Sequence, residues 1–129
     1  MKYSVLKVLV CLSLFASVGV VAGCKDRVSV FQVNDVVSDP GAFSKPLTLE
    51  GVVYAYAKGD TSIVGVMDKK ELQCKTPNCN KALLAVKAPG TQLAVGDEIK
   101  ASGSIVKESR GYVLKADDVK VVTRHKLGV

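Results

Sequence analysis

The side chains able to do chemistry are few, and their spacing excludes more than it admits. The 129-residue sequence holds a single histidine, His125, in the tail TRHKLGV. A nucleophile–histidine–carboxylate triad or a site with two histidine ligands therefore has no obvious location. The serines and carboxylates have no base near them in sequence, and no glycine-rich loop of the phosphate-cradling kind occurs. The chain is accordingly expected not to be an enzyme and to need no cofactor. Cys74 and Cys79 stand five positions apart in DKKELQCKTPNCNK. One C-x4-C pair is half of a thiolate-rich zinc site, so a metal there would also need Asp68, Glu71 or His125. Redox chemistry prefers C-x-x-C, which this is not. No metal is expected, and a structural role for the pair is the simpler expectation.

Binding chemistry is better represented than catalysis. Tyr54 and Tyr56 lie two apart in LTLEGVVYAYA and so share one side of an extended strand. If the phase set by Leu47, Leu49 and Val53 persists, both rings face outward near Lys58; a bulge at Gly51 would flip them into the core. Tyr54, Tyr56 and Lys58, joined by Arg110, form the candidate ligand-binding surface.

The elements that must position these residues are strands. Asn34 can cap a turn over Asp35–Ser38, and Asp39-Pro40 offers a second cap with proline in the first helical position, giving a short broken helix that ends near Phe43. From Leu47 onward valine, leucine and tyrosine alternate with glycine-marked turns, and five strands are predicted: 47–57, 62–68, 82–88, 98–107 and 112–122. KGDT and ESRG are polar and tight enough for hairpins. Gly51 and Gly103 sit inside long strands, where glycine marks a bulge or bend. A bent strand can serve two halves of one sheet, which lets five strands close on themselves.

The run from "LTLEGVV" through "GVMD" to "VGDEIKASGSIVK" resembles the OB-fold, as found in anticodon-binding-like domains and in small periplasmic OB-fold proteins. The resemblance covers about Val33 to Val122 and implies an all-β, five-stranded Greek-key barrel with a short N-terminal helix. OB-folds that bind single strands stack bases on aromatic residues of the second and third strands. Here those strands, SIVGVMD and ALLAVKA, have none. Nucleic acid is therefore an unfavoured partner. A histidine following such a barrel also resembles the periplasmic haem chaperone of cytochrome c maturation, but that family's downstream tyrosine has no counterpart here.

The N-terminal segment speaks of location. MKYSVLK brings two lysines, and Val8–Gly23 then runs without a charge until Cys24, followed at once by Lys25, Asp26 and Arg27. This is the shape of a secretory signal, and the run is shorter than the roughly 20 apolar residues of a membrane span. The boundary Val21-Ala22-Gly23-Cys24 resembles the lipobox of bacterial lipoproteins. That resemblance implies cleavage before Cys24, acylation (palmitate included) of that residue, and membrane attachment through several acyl chains. Lys25 rather than aspartate after the cysteine tilts the address to the outer membrane, periplasmic face, with the inner membrane as the alternative.

Removing the first 23 of 129 residues leaves 106, enough for one domain. Lys2 and Lys7 leave with them, so 16 basic residues face 12 acidic ones, spread rather than clustered, as on a solvated surface. With Cys11 discarded and Cys24 lipidated, Cys74 and Cys79 remain and are expected to form a disulfide in an oxidising compartment. The expected organisation is a signal peptide over 1–23, a lipidated tether over 24–33, an OB-fold domain over 34–122 and a tail over 123–129. The expected function is a lipid-anchored, non-catalytic periplasmic module that binds another envelope protein or a small ligand. The alternative is a single-stranded nucleic-acid binder.

Overall fold

The computed structural model describes residues 29–74, 79 and 81–127. The signal segment, Cys24 and the first part of the tether lie outside the described residues.

Over the described residues the chain is all-β apart from one short helix and two 3-10 turns. Strand β1 (Val30–Gln32) leads directly into helix α1 (Val33–Ser38), and a 3-10 turn (Pro40–Ala42) follows. The long strand β2 (Leu47–Ala57), β3 (Asp60–Met67), a second 3-10 turn (Lys69–Gln73), β4 (Leu83–Lys87), β5 (Asp97–Glu108) and β6 (Gly111–Arg124) complete it. The five predicted strands are present. The sixth, β1, lies within the stretch read as tether and pairs parallel to β2 with Val30 opposite Thr48. Three residues are too few for a readable alternation, so β1 left no signal in the sequence. The helix starts at Val33, and Asp35 accepts the Gln32 backbone N–H at 3.3 Å. The expected cap at Asn34 is therefore displaced by two positions.

All six strands belong to one sheet in the order β1-β2-β3-β4-β6-β5, with β2 pairing β5 as well. Following the pairings from β2 through β3, β4, β6 and β5 returns to β2. Among the described strands two contacts are parallel, β1 with β2 and β4 with β6. The first half of β2 pairs β5, from Leu47–Gly103 to Val52–Glu98, and the second half pairs β3 from Val52 onward. One strand thus serves two neighbours in turn, as its length and internal glycine suggested.

Gly51 does not bulge, and its register with β5 is continuous. It is a site of close approach: a Cβ there would come within 2.5 Å of Val66 Cγ1 and 2.7 Å of both Val33 Cγ2 and the Met67 carbonyl. Gly103 does adjoin a register shift, between Ser102 and Gly103, and a Cβ there would meet the Lys115 carbonyl oxygen at 1.9 Å. The Lys58-Gly59 hairpin is closed by Gly59 at φ +82°, a conformation that favours glycine.

The core follows the period of two. Leu47, Leu49 and Val53 on β2, Val64 and Val66 on β3, Leu84 and Val86 on β4, Ile99 and Ala101 on β5, and Leu114 on β6 are all buried in one cluster. Val33 and Val36, three apart on α1, join it from one end. Each of these valine, leucine and isoleucine side chains contributes about 1.5–3 kcal/mol relative to exposure.

Candidate functional site

Tyr54 and Tyr56 are 40% and 45% exposed, so the inward-facing phase of Leu49 and Val53 carries past Gly51 and both rings lie on the outer side of β2. Register shifts between Val53 and Ala55 and between Tyr56 and Ala57 mark bulges against β3. Bulges of this kind re-aim side chains at the rim of a sheet. The Lys81 ammonium lies 4.5 Å from the centre of the Tyr54 ring. The Tyr56 hydroxyl donates to the Leu93 carbonyl. Lys58 is exposed in the adjoining hairpin turn. Arg110 is exposed in the turn between β5 and β6. Tyr54 and Tyr56 thus share the outer side of β2 with Lys58 in the turn that follows it, while Arg110 belongs to a different turn.

Beside Tyr56 opens a cleft of about 400 Å³, lined by Tyr56, Thr61, Ser62, Ala88, Gly90, Thr91, Gln92 and Leu93. Its walls are the start of β3 and the loop after β4. The Ala88 N–H donates to the Ser62 carbonyl at 2.9 Å and the Thr91 N–H to the Ala88 carbonyl at 3.3 Å. Gly90 turns the loop at φ +78°. Ser62 donates to Asp60 through both its N–H and its hydroxyl, and these bonds hold the Asp60 carboxyl below its ordinary range. None of the lining residues carries a charge.

A second polar group, which sequence reasoning missed, gathers where β5 begins. Glu98, with 4% of its side chain exposed, takes the Lys69 ammonium at 2.9 Å and His125 Nε2 at 2.6 Å. The bonds from His125 and Lys69 push its carboxyl down against the opposing effect of burial. Asp97 accepts from the Ala94 N–H at 2.9 Å and pairs with Arg124 Nε at 3.3 Å. Asp68, fully buried, accepts the Lys70 N–H at the start of its 3-10 turn and the Asn34 N–H of α1 at 3.0 Å. The one available signal was Asp68-Lys-Lys-Glu71, which has the acid-at-cap spacing of a helical start. His125 is thus a clasped residue rather than the free tail side chain its position suggested. These acids tie segments together. Among the described residues no group of three or more histidine, cysteine or acidic side chains could hold a metal ion.

Cys74 and Cys79 stand at disulfide distance, with Cα atoms 6.4 Å apart, inside the range such bonds accept. Among the described residues no helix is long and apolar enough to cross a membrane. No family model matches the chain, and no curated protein matches it.

Proposed function

We propose that the chain is a non-catalytic binding module on an OB-fold barrel, held by acyl chains on Cys24 at the periplasmic face of the outer membrane, with another envelope protein as its partner. The barrel reading is supported by the return of the pairings to β2 and by the parallel contact of β4 with β6, the third and fifth of the long strands. The anchor reading rests on the Val21–Cys24 boundary and the charges behind it.

The observation that carries the binding reading is the outward pair Tyr54 and Tyr56, large rings left on a strand whose other face fills the core. Exposed tyrosines with a polar tip and an apolar body are characteristic of contact surfaces. The cation above Tyr54 is what favours the second reading, a single-stranded nucleic acid stacked on that ring.

A photo-crosslinking residue at Tyr54 in the native envelope tests both. Capture of a discrete protein partner, absent when the crosslinker replaces the exposed Asp117 on β6, is the expected result. Affinity for single-stranded DNA that falls steeply with salt would favour the second reading instead.

A further inference from the structure

We propose that the cleft beside Tyr56 binds an uncharged glycan, one sugar ring lying on the tyrosine face and its hydroxyls exchanging hydrogen bonds with the walls. This rests on the reading of the chain as a binding module and names a ligand class for that part of its surface.

The Tyr56 ring is a fixed platform. Its hydroxyl is tied to the Leu93 carbonyl while the residue stays 45% exposed, so little side-chain freedom remains to be lost on binding. The C–H face of a pyranose is apolar and suits such a surface. Around it stand the hydroxyls of Thr61, Ser62 and Thr91 and the amide of Gln92. The Thr61 and Thr91 hydroxyls and the Gln92 amide can both donate and accept, as sugar hydroxyls do, and Ser62, whose hydroxyl proton goes to Asp60, adds an acceptor. The cleft, about 400 Å³, falls within the size range of small-ligand sites.

The same walls disfavour the other classes. An anionic polymer needs cations to neutralise it, and no lining residue is charged. An added peptide strand needs free backbone groups. The Ala88 and Thr91 N–H groups are already given to the Ser62 and Ala88 carbonyls. At Gly90 a Cβ would meet nothing within 4 Å, so that side of the cleft is open to a ligand.

The experiment is a titration of the full-length, isotope-labelled protein with triacetylchitotriose, cellotriose and maltotriose, following backbone amides. Saturable shifts at Thr61, Ser62, Ala88 and Gly90–Leu93 with at least one of the three are expected, unchanged when salt is raised. Tyr56→Ala and Gln92→Ala should each weaken that binding about tenfold or more. Gln92 is exposed, so its variant leaves the fold intact and keeps the comparison interpretable if Tyr56→Ala disturbs the loop. Silence of those amides with all three sugars, or undiminished binding by Gln92→Ala, overturns the glycan site. Should the crosslinker at Tyr54 still capture a protein in that case, the binding module stands without the glycan; blanks in both experiments remove both.

Discussion

Glu98 shows how a single side chain can join segments that the sequence keeps far apart. In DEIKASG the alternation puts Ile99 on another side of β5 from Glu98, so the glutamate reads as solvent-facing; it is buried because Lys69 and His125 close over it. Its folded-state carboxyl titrates below the ordinary value of 4.5. A depressed carboxylate contributes stability that is present above the unfolded pKa and is lost as pH falls through the lower folded value. Unfolding free energy should therefore drop as the medium is acidified below about 4.5, and Glu98→Gln should flatten part of that drop. At neutral pH the same variant should cost about 1 kcal/mol, because Lys69, half-exposed, recovers much of its hydration when the partner charge is removed. Urea titrations of both proteins across the acid range check this; parallel curves would show that Glu98 is not the titrating group. Gly96 completes the clasp. It sits at φ +97° with the His125 carbonyl 2.1 Å from where a Cβ would be, so the tail can cross only over glycine.

Among the elements, the hairpin of β5 and β6 depends on one backbone contact. Gly103 leaves no room between strands, since the atom a side chain would strike is the Lys115 carbonyl rather than a flexible tip. Gly103→Ala should cost about 3 kcal/mol or more, at or above the usual ceiling for overpacking, and amide exchange should quicken along Lys100–Ile105 first. A loss below about 1 kcal/mol would mean that the strands slide apart freely. The far end of β6 is instead built to stay alone. From Asp117 onward it pairs only β5; the shift at Ser102/Gly103, together with that at Glu98/Ile99, breaks the regular edge, and Asp117, Asp118, Lys120 and Arg124 charge it. Those are the devices by which sheet edges avoid unwanted pairing, and they offset the exposed Val121 and Val122. In the connection between β3 and β4, Cys74 and Cys79 stand at disulfide distance. Replacing both by serine should leave the fold intact and cost less than the roughly 3 kcal/mol that chain entropy assigns to closing a 15-residue loop, because the loop they close is shorter. Free thiols in protein isolated without reductant would remove the basis of that expectation.

For the whole molecule, the long strands were legible because each alternates inward and outward residues over enough length, whereas the side taken by Tyr54 and Tyr56 was left open by the sequence, since it turned on whether Gly51 bulges. What was not legible depends on partners distant in sequence. Val30–Gln32 becomes a strand only against β2, Asp68 is buried only because α1 offers it an N–H, and the cleft exists only where the loop after β4 folds back on Tyr56. The same distinction applies to location. Among the described residues no helix is long and apolar enough to cross a membrane, and the proposed attachment rests on the sequence boundary at Cys24 alone. Several acyl chains hold a protein stably where one chain binds only marginally, and each buried methylene contributes about 0.8 kcal/mol. On the proposed reading, Cys24→Ala removes the sulfur that would carry the lipid. The expected outcome is a soluble, folded periplasmic protein with the thermal unfolding of the native domain, released from membranes by a simple salt wash. Mass spectrometry of the native protein should show Cys24 as its first residue, carrying acyl groups. A native protein without acyl mass, or a variant that still sediments with washed membranes, would return the N-terminal run to the status of a plain signal or an uncleaved anchor.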